Sequence, residues 1–391
     1  MSYVRRHMSY VLKNPSWQKN EQFKMKQPIK ILISGGGTGG HIFPAIAIAN
    51  EIRRREPDAD ILFVGAENKM EMEKVPKAGY KIKGLWISGF QRGLDMRNLS
   101  FPFKLISSYF RSGAIVRKFK PDVAVGTGGF ASGPALNAAI RNGVPALIQE
   151  QNSFPGITNK ILSRKAKKVC VAYDGMDKYF PAEKVVKTGN PVRQSIILCN
   201  VKPEKARKDF DLDLDCKILF VVGGSLGSRT LNNCVKAGLD KLREANIQVL
   251  WQTGSLLFDE CKSSAKGYDN VKVFDFITNI DHAYAAADVI VSRAGAIAIS
   301  ELCLVGKPVI LVPFPFAAED HQTKNALALV NGNAAVHISD KAAQNELVTA
   351  AIALLNNESK RKELADNIQN FAIPDAAERI VDEVFKLISK N

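Results

Sequence analysis

The sequence predicts an α/β protein built from two Rossmann-like lobes, each with a parallel sheet, that face each other across a cleft. Three observations support this fold class. Short β-branched segments alternate with helical patterns, as in parallel βαβ units; the alternation restarts after the sequence VKTGNPVR at residues 186–193; and a chain of 391 residues is long enough for two domains. The carboxyl ends of the strands in both lobes then border the cleft, where ligands bind in folds of this class.

The domain order follows from local changes in composition. Residues 1–24 repeat the sequence MSYV at positions 1 and 8 and continue polar and basic, which indicates a disordered leader or a start upstream of a natural one at Met25. We expect an N-terminal lobe over residues 25–189 and a C-terminal lobe over residues 190–368, because Gly-Asn-Pro at 189–191 is turn chemistry that a helix cannot continue through. Residues 369–391 predict a last helix that crosses back to the first lobe.

The formal charge of +15 favours an anionic partner: a phosphorylated substrate, a membrane surface or a nucleic acid. Nucleic acid is the least favoured, since the sequence has neither an RNP motif nor zinc-finger spacing. Six scattered cysteines without a C-x-x-C pair indicate reduced thiols in a cytosolic protein. No apolar run reaches the roughly 18 residues of a transmembrane helix, so any membrane contact is expected to be peripheral.

Three predicted strand-to-helix turns are rich in glycine, at residues 35–40, 126–134 and 223–228. Glycines let the backbone approach a ligand closely, and the helix N-terminus that follows carries partial positive charge, so these turns predict phosphate binding. Gly35, Gly37 and Gly40 also match the dinucleotide fingerprint G-x-G-x-x-G, which leaves a nicotinamide oxidoreductase as an alternative. The acidic residue that such an enzyme uses for the ribose is poorly matched, since Glu67 comes late and beyond a glycine.

Seven motifs are more specific than these turns. In chain order they are GGGTGGHIFPA, GTGGFASGPA, EQNSFPGITNK, TGNPVR, GGSLGSRTLN, SRAGAIAISE and PFPFAAEDHQTKNA. Together they resemble the MurG family, bacterial transferases that move N-acetylglucosamine from UDP-N-acetylglucosamine onto undecaprenyl-pyrophosphoryl-N-acetylmuramyl-pentapeptide. The resemblance runs from about residue 30 to residue 391. It implies a GT-B architecture, transfer to the acceptor 4-hydroxyl in peptidoglycan synthesis, and a peripheral location on the cytoplasmic face of the inner membrane.

An acceptor other than the muramyl-pentapeptide lipid stays open, since a UDP-sugar transferase acting on a lipid such as diacylglycerol would share the donor motifs. The sequence also departs from the family pattern at five positions. Leu226 stands where glutamine is usual, Ser228 where alanine is usual, Ala298 in place of Thr or Ser, and Phe130 and Phe314 in place of tyrosines. Because Leu226 replaces the glutamine, one contact that the family pattern implies to the donor sugar or its phosphate is not expected here in the same form.

His41 is the candidate catalytic base. Inverting transfer from an α-linked UDP-sugar in one displacement needs a base for the acceptor hydroxyl, and an ordinary imidazole pKa of about 6.5 suits that task. His41 follows Gly40 at the predicted mouth of the cleft. An equally supported alternative is a helix N-terminal histidine that binds the acceptor pyrophosphate or caps the helix.

The resemblance assigns the donor to the second lobe. It implies that Glu301 binds the ribose, that Arg193 supplies positive charge to the phosphates, and that the backbone near Ile277 recognises uracil. A solvated helix glutamate and an exposed linker arginine remain the alternatives for the first two. The remaining donor candidates, from both lobes, are Thr38, Gly39, Gly40, Asn152, Ser225, Gly227, His321 and Gln322.

The phosphate-binding loops of the acceptor lobe are expected to include Gly37, Thr127, Gly128 and Gly129. Neither a metal nor a cofactor is expected. The D-x-D strings within residues 58–60 and 209–215 precede strands and therefore lie at the edge away from the ligand, and no His/Cys cluster has metal-ligand spacing. Helix dipoles and Arg193 would replace the cation, so activity should survive EDTA.

Residues 86–120 interleave aromatic side chains with seven basic residues and one acidic residue. This composition favours a patch that faces an anionic membrane surface, with apolar groups at the interface and cations on the headgroups. The alternative is an amphipathic helix whose aromatic side lies in the core.

Overall fold

A computed structural model describes residues 28–89, 100–224, 226–317 and 320–389. The predicted leader, residues 1–24, lies outside them. The first sheet is parallel throughout, in the order β3-β2-β1-β4-β5-β6-β7. Its strands are β1 (Lys30–Gly35), β2 (Asp60–Ala66), β3 (Lys81–Leu85), β4 (Val123–Gly128), β5 (Ala146–Glu150), β6 (Lys168–Val171) and β7 (Val185–Lys187).

The second sheet is also parallel throughout, in the order β10-β9-β8-β11-β12-β13. Its strands are β8 (Lys217–Val222), β9 (Ile247–Gln252), β10 (Val271–Phe274), β11 (Val289–Ser292), β12 (Val309–Leu311) and β13 (Val336–His337). Two parallel sheets confirm the predicted fold class.

Helices join successive strands, as parallel pairing requires. In the first half of the chain they are α1 (Gly39–Arg55), α2 (Glu71–Lys77), α3 (Phe101–Phe119), α4 (Ser132–Arg141) and α5 (Ile157–Ser163). The following helices are α6 (Gln194–Ile197), α7 (Pro203–Lys208), α8 (Arg229–Ala237), α9 (Leu239–Glu244), α10 (Phe258–Ser264), α11 (Ile280–Ala286), α12 (Ala296–Val305), α13 (His321–Asn331), α14 (Asp340–Asn356), α15 (Glu358–Gln369) and α16 (Ala376–Ile388). Short 3₁₀ turns span Met176–Lys178, Ala182–Lys184 and Ser255–Leu257.

Both sheets are covered by helices on their two faces, which explains why their strands read as continuous apolar runs. Ile31, Leu32 and Ile33 on β1 are all fully buried, although their side chains alternate between the two faces. The central strands β1 and β8 each lie where the strand order reverses, β1 beside β4 and β8 beside β11. In doubly wound sheets the ligand crevice lies at this reversal, beyond the carboxyl ends of the strands.

The last helix returns to the first lobe. Ile380, Val381 and Val384 on α16 belong to the same buried cluster as Ile42 and Ile48 on α1. Arg55 adds an ion pair of 2.5 Å to Asp382 across this contact. The side chain of Ile373 packs on Gly189, so the two connections between the lobes lie side by side.

Two further global features concern the membrane and the thiols. Among the helices that the structure describes, none is both long and apolar enough to cross a bilayer. All six cysteines are free thiols.

Candidate active site between the two lobes

A cavity of about 620 Å³ lies between the lobes and is lined by residues from both. Its size falls within the range of small-molecule and cofactor sites. The first lobe contributes the N-terminus of α1 and the side chain of Phe43, and the second lobe contributes the turns after β8 and β11. Eight of the predicted donor residues line it: Thr38, Gly39, Gly40, Arg193, Gly227, Ile277, Glu301 and Gln322.

Two other predicted donor residues, Asn152 and His321, are not among the residues that line the cavity. Asn152 turns to Glu150, whose Oε1 accepts from the Asn152 amide nitrogen at 3.0 Å and from its Nδ2 at 3.2 Å. His321 begins α13, one position before Gln322. Ser225 lies outside the described residues.

Glu71 holds the first glycine turn in place. Its buried carboxylate accepts from the Gly37 amide at 2.9 Å and from the Ala66 amide at 2.9 Å. Any side chain at Gly36 would collide with this carboxylate. The Gly37 N–H is therefore engaged inside the protein, and the place of Gly37 in a phosphate-binding loop stays a prediction.

The second glycine turn supports the first. The Gly36 amide donates to the Gly128 carbonyl at 3.3 Å, and a Cβ on Gly129 (φ +87°) would collide with the Gly36 carbonyl oxygen. Thr127 is buried and its hydroxyl donates to the backbone oxygen of His41 at 2.8 Å. The Thr127 hydroxyl is thus engaged inside the first lobe, and the place of Thr127 in a phosphate-binding loop stays a prediction. Gly128 lies so close to the imidazole that a Cβ there would be 2.9 Å from Nδ1.

His41 occupies the first turn of α1, and its side chain has a defined partner. Nδ1 lies 3.0 Å from Oε1 of Gln151, which is buried just after β5. The sequence places Gln151 near the cleft but gives it no role. The contact cannot be inferred from local sequence, because 110 positions separate the two residues and only the folded sheet brings them together.

The wall of the cavity in the second lobe contains an ion pair between a buried carboxylate and a partly exposed guanidinium. Arg193 donates to Glu301 Oε1 from Nε at 2.9 Å and from Nη2 at 2.8 Å, and the Tyr284 hydroxyl lies 3.4 Å from Oε2. Burial raises the pKa of Glu301, and the charge of Arg193 opposes part of that rise. The alternatives of a solvated helix glutamate and an exposed linker arginine are therefore both wrong.

Two further polar contacts orient groups on the cavity wall. The Ile277 amide donates to Gln252 Oε1 at 2.9 Å, which leaves the Ile277 carbonyl as the backbone group able to meet a base. Gln322 Oε1 accepts from the Phe314 amide at 2.9 Å, so the side-chain NH₂ of Gln322 points away from that bond. Gly227 (φ +78°) cannot be replaced without a collision, since a Cβ would meet the Thr253 carbonyl.

No group of three or more His, Cys, Asp or Glu side chains suited to a metal ion occurs in the described part of the chain. Asp60 begins β2, and Asp215 precedes β8. Both D-x-D strings therefore lie at the amino ends of strands, opposite the cavity.

Two parallel sheets, a shared cleft and helix N-termini directed at it define a two-lobed glycosyltransferase architecture of the GT-B type. Residues 31–171 match the glycosyltransferase family 28 N-terminal domain, and residues 218–380 match the glycosyltransferase family 28 C-terminal domain. The chain belongs to glycosyltransferase family 28 and, within it, to the MurG family that its motifs resemble.

Individual relatives agree with this assignment. The chain is 55% identical over 366 residues to the UDP-N-acetylglucosamine--N-acetylmuramyl-(pentapeptide) pyrophosphoryl-undecaprenol N-acetylglucosamine transferase of Cytophaga hutchinsonii, covering 94% of this chain and 99% of the relative. It is 54% identical over 364 residues to the protein of the same name from Parabacteroides distasonis, covering 93% and 99%. The crystal structure of MurG from Acinetobacter baumannii superimposes with a TM-score of 0.72 at 30% identity, covering 92% of this chain and 100% of that one.

Proposed function

We propose that this protein transfers N-acetylglucosamine from UDP-N-acetylglucosamine to the 4-hydroxyl of undecaprenyl-pyrophosphoryl-N-acetylmuramyl-pentapeptide, with inversion at the anomeric carbon. The observation that carries the proposal is the cavity that joins the N-terminus of α1, the helix that carries His41, to the Arg193–Glu301 wall of the second lobe. The names of relatives at 54–55% identity supply the donor and acceptor classes.

The donor is assigned to the second lobe by complementary chemistry. Glu301 Oε2 accepts a ribose hydroxyl, since the two N–H groups of Arg193 already occupy Oε1. The Ile277 carbonyl accepts the uracil N3–H. The glycine turn that includes Gly227, together with Ser225 and the N-terminus of α8, receives the diphosphate. The NH₂ of Gln322 and the imidazole of His321 are assigned to the sugar hydroxyls.

The proposed reaction is one in-line displacement. The acceptor oxygen forms its bond to the anomeric carbon as the bond from that carbon to the phosphate oxygen breaks, and the bonding electrons leave with UDP. The hydroxyl proton passes to the imidazole of His41. The N-termini of α8 and α12 stabilise the charge that develops on the diphosphate. We propose that no metal ion takes part.

We further propose that α3 holds the protein on an anionic membrane surface as a peripheral protein. Two aromatic side chains of this helix point outward, since Phe103 is 67% exposed and Phe110 is 69% exposed. Phe119, near its C-terminal end, packs instead against the core of the first lobe. Ser108, Ser112 and Val116 form its buried face. The alternative, an amphipathic helix whose aromatic side lies in the core, does not describe Phe103 and Phe110, and the membrane contact stays a proposal; residues 90–99 lie outside the described part of the chain.

The test is a transfer assay with UDP-N-acetylglucosamine and a short-chain lipid-linked muramyl-pentapeptide in the presence of EDTA. Coupled release of UDP and formation of the disaccharide supports donor, acceptor and metal independence together. Transfer only to diacylglycerol would overturn the acceptor. Reduction or oxidation of a nicotinamide would overturn the class of reaction, although Glu67, the residue that such an enzyme needs for its ribose, pairs with Arg111 at 2.7 Å.

The role of His41 needs its own variant. His41→Ala is expected to lower kcat by about 10²-fold or more, the contribution of a positioned base, while UDP binding stays intact. Normal turnover with a large loss of UDP affinity would instead make His41 a donor ligand.

A further inference from the structure

A row of three buried side-chain amides connects His41 to the second lobe. Gln151 Oε1 meets His41 Nδ1 at 3.0 Å. The nitrogen of the same amide, Nε2, donates to the Thr127 backbone oxygen at 2.8 Å and also to Oε1 of Gln149. Gln149 and Gln151 are both buried, so solvent does not compete for these bonds.

The row continues into the second lobe and its polarity is fixed there. Gln149 Nε2 donates to Asn190 Oδ1 at 3.0 Å. Asn190 Nδ2 donates to the Gln151 backbone oxygen at 3.1 Å and to Ser300 Oγ at 3.1 Å. The Ser300 hydroxyl donates its own hydrogen bond to the Ala296 carbonyl at 3.0 Å, so the Ser300 oxygen is the acceptor of the bond from Asn190.

Each amide in the row can therefore take only one orientation. Reversing Asn190 would set its oxygen against the Gln151 carbonyl, and reversing Gln151 would set its oxygen against the Thr127 carbonyl. Buried polar atoms require complementary partners, and oxygen facing oxygen leaves both without a hydrogen. The oxygen of Gln151 is consequently the atom that faces His41.

We propose that Gln151 is a positioning residue that holds His41 in the Nδ1–H tautomer. An amide oxygen only accepts, so the proton of the neutral imidazole must sit on Nδ1 and the lone pair on Nε2. The catalytic meaning rests on the proposed function: a lone pair at Nε2 can take the proton of the acceptor hydroxyl. The same neutral tautomer has no N–H left for a phosphate oxygen, which favours the base over the phosphate ligand.

The first experiment uses the unaltered full-length protein labelled with ¹⁵N-histidine. The chain has five histidines, and the His41 signals are those that disappear in His41→Asn. We expect the ¹⁵N shifts of the neutral ring to show hydrogen on Nδ1 and a bare Nε2. A neutral ring with its hydrogen on Nε2 would overturn the proposal. Neither outcome depends on whether the protein transfers N-acetylglucosamine.

The second experiment compares Gln151→Met with Gln151→Glu. Both lose the NH₂ group, but only glutamate keeps an oxygen for Nδ1–H. We expect Gln151→Met to shift hydrogen toward Nε2 and to lower kcat by about 10²-fold, with the KM for UDP-N-acetylglucosamine changed by less than about threefold. Gln151→Glu is expected to keep the Nδ1–H tautomer and more of the activity.

Retention of both the tautomer and kcat in Gln151→Met would overturn the proposal. If neither variant folds, as judged by circular dichroism, the spectrum of the unaltered protein still decides the tautomer. Loss of transfer in every form of the protein, with the Nδ1–H tautomer present, would count against the proposed function alone.

Discussion

Arg193 and Glu301 form an ion pair in the cavity wall, in which two guanidinium N–H groups share one carboxylate oxygen. The Glu301 side chain is 4% exposed and the Arg193 side chain is 30% exposed. The guanidinium also lies 5.0 Å from the ring centroid of Phe43, which belongs to α1 in the first lobe. Arg193 therefore connects the donor wall to the acceptor lobe as well as supplying charge.

Arg193→Met should destabilise the protein. It leaves the Glu301 carboxylate buried without its cation, which we expect to lower the free energy of unfolding by roughly 2–3 kcal/mol, below the range for a fully buried pair because Arg193 is partly exposed. The double variant Arg193→Met/Glu301→Gln removes the orphaned charge and should recover most of that loss. Urea denaturation measures both. A double variant less stable than the single one would contradict the argument.

Donor binding should weaken as the pH falls. Burial raises the pKa of Glu301, so this carboxylate takes up a proton at a higher pH than a free glutamate, whose pKa is about 4.3. Protonation removes the charge offered to the ribose, and the KM for UDP-N-acetylglucosamine should rise as the pH falls through the raised pKa. Glu301→Gln should show a high KM without this rise. Steady-state kinetics across the acid range provide the measurement.

The contribution of Glu301 to the free energy of unfolding changes with pH in the opposite direction to its contribution to donor binding: it is larger at low pH. Because the folded state holds the Glu301 proton more tightly than the unfolded chain, the favourable contribution is fully present below the unfolded pKa. It is lost as the pH rises through the folded pKa. A Glu301→Gln variant whose stability changes with pH in the same way as the unaltered protein would show that this carboxyl contributes nothing to the slope.

The sequence could predict the sheets and the glycine turns because both depend on local patterns. Buried parallel strands read as apolar runs, and turns that need close backbone approach read as glycine. The supporting polar contacts were not predictable in this way. Glu71 differs in no local feature from Glu73, which is 57% exposed two positions later. Only the packing of α2 against the first glycine turn brings the Glu71 carboxylate to the Gly37 amide, from which it accepts a hydrogen bond.

Replacing Gly129 should cost more than replacing Gly143. Both have positive φ, +87° and +80°, so alanine pays the left-handed backbone penalty of about 1–2 kcal/mol at each site. A Cβ at Gly143 meets nothing within 4 Å, whereas at Gly129 it collides with the Gly36 carbonyl. We expect Gly129→Ala to lower both stability and kcat, and Gly143→Ala to lower stability alone. Equal kcat values in the two variants would show that activity does not depend on the close contact between the first and second glycine turns at Gly36 and Gly129.

Leu226→Gln should improve donor binding. Leu226 lines the cavity with its side chain 64% exposed, and glutamine there could donate to the donor sugar or phosphate. One added hydrogen bond should lower the KM for UDP-N-acetylglucosamine by about threefold to tenfold. Leu256→Gln is the matched control, because Leu256 is 83% exposed and is not among the lining residues. An unchanged KM in Leu226→Gln would mean that position 226 does not reach the donor.

Membrane binding should depend on the outward face of α3. Phe103→Ser/Phe110→Ser removes two exposed aromatic rings from a helix whose buried face is Ser108, Ser112 and Val116, so the fold should be unaffected. We expect affinity for anionic vesicles to fall by at least about tenfold, since partial burial of each ring in the interface is worth roughly 1 kcal/mol. High salt should also lower the affinity of the unaltered protein for anionic vesicles, because basic side chains of the same segment contact the headgroups. The control is Leu256→Ser, which removes an apolar side chain of the second lobe that is even more exposed, at 83%, and this variant should bind vesicles normally. Sedimentation with vesicles of varied phosphatidylglycerol content measures the binding of the unaltered protein, the double variant and the control. Binding that does not depend on salt, lipid charge or the two phenylalanines would place the membrane contact elsewhere.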